Sequence, residues 1–116
     1  VINNLIKNAV EAIVSERKED GKIDKKSIVK ISTRLEKKFI RKTVVLEIED
    51  NGPGIPQKLQ EKIFEPYFST KEGHGTGIGL TIVQKAVYDH HGYISVGTSK
   101  LGGCSFIIEL PAQENI

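Results

Sequence analysis

The chain has 116 residues, of which 38% are hydrophobic and 28% are charged, a composition typical of one globular domain with a modest core. Its formal net charge of +2 is too small to favour binding to nucleic acid or to an anionic membrane surface. The apolar runs are only a few residues long, which excludes a membrane-spanning helix, and no segment has the pattern of a signal peptide.

The first predicted element is a helix over residues 2–16, because apolar residues recur there at steps of three and four. The residues of this stripe are Leu5, Ala9, Ala12 and Ile13. The same spacing places Asn4, Asn8 and Glu11 together on one neighbouring face. No capping residue precedes Val1, so we expect the sequence to be an N-terminally truncated piece of a longer protein.

Two pairs of strands follow from alternating apolar and polar residues, after a charged loop over 15–27. The predicted strands are 29–36, 44–50, 93–98 and 104–110. Each pair is joined by a short turn, so we expect two antiparallel hairpins. Cys104 alternates with Phe106 and Ile108, which indicates a small core residue. As the single cysteine, it also excludes an internal disulfide and fits a reducing compartment.

Helices are predicted between the two hairpins. Pro56 opens a short helix over 57–64, and a longer helical run through Val87 ends near Gly92. Because the strands come in adjacent pairs, we expect an α+β fold. This would be a two-layer sandwich, with helices on one face of a mixed or antiparallel sheet, formed as one domain by residues 1–116. A doubly wound parallel sheet is disfavoured for the same reason.

Asp50 is the most informative single residue. Its position in the strand places it with Leu46 and Ile48, toward the interior, where a carboxylate is costly unless hydrogen-bond donors satisfy it. An adenine amine could donate to this acceptor, whereas guanine would present a carbonyl there. Gly52 and Gly54 would let the backbone approach a planar base. The alternative is an aspartate that caps a tight, glycine-containing turn.

Asn4 and Asn8 lie in the middle of the predicted helix, where asparagine is a poor helix former. Each side-chain carbonyl could coordinate a hard cation such as Mg²⁺. The alternative is an exposed polar face.

The glycine-rich segment 75–80 opens the long helix, where free backbone N–H groups and the positive helix end could bind phosphate. It has neither the spacing of a Rossmann fingerprint nor that of a P-loop, and a flexible linker is the alternative. Before it, Phe64 and Phe68 could anchor a mobile lid from which Lys71 reaches a terminal phosphate. Core aromatics with a surface lysine are the alternative. The histidines show no zinc-ligand spacing.

Taken together, five segments resemble, in order, the conserved boxes of the ATP-binding domain of sensor histidine kinases. They are the N box at 4–9, the first glycine box at 50–54, the F box at 64–68, the second glycine box at 75–80 and a closing glycine segment at 102–106. The match covers nearly the whole chain. The wording of the first box and the Phe-Ser-Thr-Lys run resemble the nitrogen-regulation type.

This resemblance implies a Bergerat-type fold, shared with gyrase and MutL, and a site for ATP and Mg²⁺. It implies that Asn8 ligates Mg²⁺, that Asn4 lies beside it near the phosphates and that Asp50 binds the adenine amine; Asn4, Asn8 and Lys71 are the expected catalytic residues. The other expected contacts with the nucleotide are Lys7, Gly52, Gly54, Ile55, Phe64, Phe68, Thr70, Lys71, Gly75, Thr76, Gly77, Ile78, Gly79 and Leu80.

Asn4 also separates the subclasses, because the ATP-hydrolysing relatives carry a glutamate at this position and asparagine cannot act as a general base. The resemblance therefore implies a bacterial, cytoplasmic protein-histidine kinase whose parent is either soluble or membrane-anchored. Its partners would be the dimerisation and histidine phosphoacceptor domain of the same protein and a response regulator receiver domain, with no nucleic acid and no direct membrane contact.

Two departures from the family pattern leave other functions open. Glu11 stands where many members have a lysine, and Cys104 replaces a more common small hydroxyl residue. Glu11 and the missing N-terminus make a nucleotide-binding or partner-docking module without chemistry one alternative. An ATPase of the gyrase type is another, although Asn4 argues against it.

Overall fold

The computed structural model describes residues 5–7, 9–11, 26–65 and 79–112. Within these ranges, four strands form one sheet in the order β1-β2-β4-β3, and each of their three pairings is antiparallel. The strands are β1 (Val29–Lys38), β2 (Arg41–Asp50), β3 (Tyr93–Thr98) and β4 (Cys104–Pro111). The expected α+β fold with two antiparallel hairpins is confirmed.

The helical layer lies on one face of this sheet. Residues 5–7 and 9–11 are helical and form α1, and α2 spans Gly79–Asp89. The single helix predicted over 57–64 is instead two short 3₁₀ helices, Gln57–Leu59 and Lys62–Phe64. Their hydrogen bonds run from residue i+3 back to residue i, the pattern common in short connecting segments.

The core lies between the helices and the inner face of β2, β4 and β3. In register, Ile48 of β2 lies opposite Phe106 of β4, which lies opposite Val96 of β3. The helices contribute the fully buried side chains of Leu5 and Val83 to the same cluster. The remaining buried members of the cluster are Ile63, Val87, Ile94, Cys104 and Ile108. Every second residue of these strands therefore packs against the apolar residues that recur about every 3.6 positions along the helices.

β1 is less buried than its alternating pattern predicts. Ile31 and Leu35 face the same side as Ile48 but are 48% and 63% exposed. β1 is an edge strand, and the core cluster is centred on the other three strands. At the hairpin tip, Phe39 and Ile40 are almost fully exposed, and Phe39 has a positive φ of 57°. The expectation of a half-buried strand is thus wrong toward the tip.

The outer face of the sheet carries mostly polar side chains, but some of its residues are shielded from solvent. Arg34 donates to Glu36 at 2.8 Å and to Glu47 at 3.2 Å, and the hydroxyl of Ser105 donates to the other oxygen of Glu47 at 2.7 Å. Val45, the cross-strand partner of Arg34, is fully buried on this face, since long charged side chains cover apolar neighbours with their stems. Within the described ranges, no helix combines the length and hydropathy that crossing a bilayer requires.

The C-terminus of α2 ends in a Schellman motif. The Gly92 N–H donates to the Val87 carbonyl at 2.9 Å, and the His91 N–H donates to the Tyr88 carbonyl at 2.9 Å. The left-handed residue is His91, with φ 63°, so the helix ends near Gly92 as predicted but without a left-handed glycine. Gly92 is needed for space, because an added Cβ would lie 2.5 Å from the Glu109 carbonyl oxygen and 2.6 Å from the Leu110 side chain.

We therefore expect Gly92→Ala to lower the free energy of unfolding by about 1–3 kcal/mol through overpacking between α2 and β4. Urea denaturation followed by circular dichroism measures this loss. Gly97→Ala is the matched control, because an added Cβ at Gly97 meets nothing within 4 Å. Equal stability of the two variants would contradict the packing argument.

Candidate functional site

Asp50 ends β2 as a buried carboxylate, only 3% exposed. Its Oδ1 accepts the Gly52 N–H at 2.9 Å and the Cys104 N–H at 3.1 Å. Both hydrogen bonds that the described residues make with this carboxylate therefore end on the same oxygen. Two backbone donors offset much of the cost of burying the group and fix the plane in which its second oxygen, Oδ2, lies.

The two interpretations of Asp50 left open by the sequence are compatible. The bond from Gly52 is the local contact expected of an aspartate that caps a turn. The bond from Cys104 comes from a different hairpin, 54 residues away in the chain. A turn cap has no need of this second donor, which instead fixes the carboxylate relative to β4.

Two glycines pack against each other here, and one of them brings its backbone close to this carboxylate. Gly54 has φ 75°, a conformation that favours glycine. Gly103 packs so tightly that an added Cβ would collide with Asp50 Oδ1 and lie 2.6 Å from both the Asp50 carbonyl oxygen and the Gly52 nitrogen. The steric role of Gly103, unlike the turn position of Gly54, was not predicted from the sequence.

Three of the predicted nucleotide contacts are apolar residues at the margin of the core. Ile55, Phe64 and Leu80, all predicted as nucleotide contacts, are partly buried and pack against the core cluster. The ring of Phe64 meets that of Phe106 edge to face, with centroids 6.4 Å apart. The hydroxyl of Thr81 donates to the Phe64 carbonyl at 2.8 Å, which joins the end of the second 3₁₀ helix to the start of α2.

Cys104 is the buried core residue that the sequence predicts, 5% exposed. Burial, together with the charge of Asp50, raises the pKa of its thiol to about 12. The thiol is therefore neutral at physiological pH and acts as a small apolar group next to the carboxylate, not as a nucleophile.

The other predicted site residues are only partly described. Lys7 is exposed, with its Nζ 4.0 Å from Glu11 Oε1, and Gly79 begins α2. Among the described residues, no group of three or more histidine, cysteine or acidic side chains could hold a metal ion. The predicted residues that lie outside the described ranges are Asn4, Asn8, Phe68, Thr70, Lys71, Gly75, Thr76, Gly77 and Ile78.

Asn51 is a structural residue that sequence reasoning missed. Its side chain accepts the Ile28 N–H at 2.9 Å and donates to the Lys26 carbonyl, and its own N–H donates to the Ile28 carbonyl. It thus fixes the chain that enters β1 against the end of β2. The sequence signal was an asparagine directly after Asp50, where asparagine commonly hydrogen-bonds the backbone of a turn.

The close approach of Gly103 generates a prediction. Gly103→Ala should cost about 2–3 kcal/mol of unfolding free energy, because the neighbours of the new methyl group are mostly backbone atoms that cannot move aside. It should also shift the amide NMR signals of Gly52 and Cys104, the two donors to Asp50. Urea denaturation and amide spectra measure the two effects; Gly97→Ala is again the control, and unchanged amide signals would contradict the argument.

Comparison with known proteins gives a consistent family. The family model described as "Histidine kinase-, DNA gyrase B-, and HSP90-like ATPase" matches residues 1–114. The chain is 41% identical to the sensor protein CitS of Halalkalibacterium halodurans, over 98% of this chain and 19% of that protein. It is 35% identical to the sensory histidine kinase/phosphatase NtrB of Salmonella typhimurium, over 98% of this chain and 31% of that protein.

Solved structures agree with this result. A mycobacterial sensor histidine kinase, MprB, superposes with a TM-score of 0.69 at 26% identity, over 97% of this chain and 68% of that one. The catalytic domain of histidine kinase ThkA gives a TM-score of 0.63 at 36% identity, over 93% of this chain and 61% of that one.

The chain spans less than a third of the length of these two curated relatives, so the comparison concerns one domain of longer proteins. The family model nevertheless covers nearly all of the chain. The chain therefore belongs to the family of histidine kinase-, DNA gyrase B- and HSP90-like ATPases, and within it to the ATP-binding domains of sensor histidine kinases.

Proposed function

We propose that this domain binds Mg-ATP with its adenine against Asp50 and donates the γ-phosphoryl group to a histidine. The acceptor histidine lies on the dimerisation and phosphoacceptor domain of the same protein. The observation that carries the proposal is the buried Asp50 carboxylate, whose Oδ1 takes two backbone N–H groups. This orientation leaves Oδ2 to accept a hydrogen bond from the exocyclic amine of adenine.

The same geometry gives base specificity. A guanine would turn its carbonyl oxygen toward an acceptor-only carboxylate, and that repulsion disfavours its binding. Gly52, Gly54 and the tightly packed Gly103 keep side chains away from the plane of the base. Ile55 and Leu80 offer apolar surface at the side of the ring.

Asn8 is the proposed metal ligand, with Asn4 one helical turn before it. The described part of α1 supports this arrangement, since Leu5 and Ala9 are buried at 0% and 5% exposure and so fix which face of the helix meets the core. An amide oxygen suits a hard cation, and Mg²⁺ would supply charge neutralisation on the triphosphate.

Phosphate contacts are proposed for the segment between the F box and α2. Free N–H groups at the start of a helix bind anions, and Gly79 begins α2. The proposed contacts here are Phe68, Thr70, Lys71, Gly75, Thr76, Gly77 and Ile78. Lys71 is the one of these whose ammonium group could neutralise charge on the γ-phosphoryl group as it leaves.

Asn4 is the reason to expect transfer of the γ-phosphoryl group and not hydrolysis of ATP. An amide cannot take a proton from water, so the domain would hold ATP until an imidazole nitrogen attacks the γ-phosphorus in line. An N–P bond would then form as the P–O bond to the leaving ADP breaks. Catalysis then consists of positioning and charge stabilisation. We propose that the phosphorylated histidine next passes its phosphoryl group to a response regulator receiver domain, and that the domain works in the cytoplasm, whether or not its parent protein is membrane-anchored.

A module that binds nucleotide without chemistry is a second candidate. It is favoured by Glu11, whose Oε1 lies 4.0 Å from the Nζ of Lys7. Part of the positive charge available to the phosphates is thereby neutralised.

Phosphotransfer to a separate acceptor tests the proposal. The domain is mixed with the phosphoacceptor hairpin of a related kinase, Mg²⁺ and γ-labelled ATP, and acid-labile label on the hairpin histidine is measured. We expect labelling by the wild type. Asp50→Asn should weaken ATP binding about 5- to 150-fold, equivalent to about 1–3 kcal/mol for a damaged buried hydrogen bond, and should reduce labelling at limiting ATP.

Each other outcome identifies a different function. ATP binding without transfer would leave the binding module, and rapid steady-state release of phosphate would indicate an ATPase. Unchanged ATP affinity in Asp50→Asn would overturn the adenine assignment itself.

A further inference from the structure

We propose that Ser99 and Glu49, which lie outside the nucleotide pocket, are positioning residues that hold the Asp50 carboxylate in its adenine-binding orientation. The inference deepens the proposed function and rests on it. Its basis is a hydrogen-bonded path that runs from the outer face of the sheet, around the β3–β4 turn, to Asp50.

The path begins with neighbours on β2 that point in opposite directions. Successive residues of a strand face opposite sides of the sheet, yet Glu49 and Asp50 are both buried, at 8% and 3% exposure. On the outer face, the hydroxyl of Ser99 donates to Glu49 Oε1 at 3.2 Å. Ser99 is itself 5% exposed, so this contact is largely shielded from water.

Ser99 also closes the β3–β4 turn. Its Oγ accepts the Leu101 N–H at 2.9 Å. Its backbone N–H donates to the Gly103 carbonyl at 2.8 Å, and its carbonyl accepts the Gly102 N–H at 3.0 Å. Ser99 thus stabilises the turn through three hydrogen bonds and links it to Glu49 through its hydroxyl.

The residues that follow this turn donate hydrogen bonds to Asp50. The Gly103 N–H donates to the Asp50 carbonyl at 3.2 Å, and the next N–H, that of Cys104, donates to Asp50 Oδ1 at 3.1 Å. The turn therefore hydrogen-bonds to the end of β2 on both faces of the sheet, to Glu49 on the outer face and to Asp50 on the inner face. Without the Ser99 hydroxyl, Glu49 and the Leu101 N–H each lose a hydrogen-bond partner, so fewer bonds hold the turn that presents the Cys104 N–H to Oδ1.

The chain offers a closely matched control. Ser105 is 3% exposed on the same outer face, and its hydroxyl donates to Glu47 Oε2 at 2.7 Å. Ser105→Ala therefore removes a comparable serine–glutamate hydrogen bond to β2. That bond starts from β4 itself, whereas the Ser99 bond starts from the β3–β4 turn.

The test compares two nucleotides that differ at the atom Asp50 would recognise. Affinities for ATP and for inosine triphosphate, which carries a carbonyl in place of the amine, are measured by calorimetry on the folded chain. Ser99→Ala should weaken ATP binding about 5- to 10-fold, which corresponds to one ordinary hydrogen bond, while inosine triphosphate binding stays within twofold. Ser105→Ala should leave both affinities unchanged, and Ser99→Thr, which keeps the hydroxyl, should restore the preference for ATP.

A purely structural role for Ser99 would give a different pattern. Equal weakening of both nucleotides, or the same change in Ser105→Ala, would overturn the inference. If Ser99→Ala does not fold, Glu49→Ala removes the same bond from the other side and should lower the preference for ATP at least twofold; an unchanged preference would also overturn it.

The proposed function fails separately. A wild-type domain without a preference for ATP, or an Asp50→Asn variant with unchanged ATP affinity, would count against the adenine assignment, whatever Ser99 does. If both ideas hold, Ser99→Ala should have less than a twofold effect in the Asp50→Asn background, because it acts only through that carboxylate.

Discussion

A carboxylate buried at the end of a strand is the constraint on which the rest of this site depends. Asp50 is stable there because backbone donors reach it from its own turn and from the other hairpin. Those donors require Gly103 at the point of contact, where a methyl group has no room. The residue that a ligand would touch therefore also dictates how the two hairpins meet.

Much of the fold was predictable, because it is encoded locally. Alternation gave β3 its observed bounds and β4 nearly so, and helical spacing identified the buried Leu5 and Ala9. The inward orientation of Asp50 followed from strand parity alone. These features depend on period and on short turns, which neighbouring residues determine.

What the sequence could not supply depends on contacts between distant residues. The exposure of Leu35 follows from the edge position of β1, which only the strand order reveals. The left-handed residue after α2 is His91, and Gly92 is required by its approach to β4. The Ser99–Glu49 bond likewise joins residues 50 positions apart. For Asn4, Asn8 and Lys71, which we propose as catalytic residues, the assignment rests on the family resemblance alone.

The order of the strands has a consequence for folding. Each hairpin is local, but the seam between β2 and β4 joins the two halves of the chain, and Asp50 takes one donor from each side of it. Closing such a long loop costs entropy before any seam contact forms. A ligand held by this carboxylate would bind only the chain in which β2 and β4 are paired. Its binding free energy would therefore add to the free energy of unfolding. Nucleotide binding would then reversibly stabilise the pairing of β2 with β4 in the middle of the sheet.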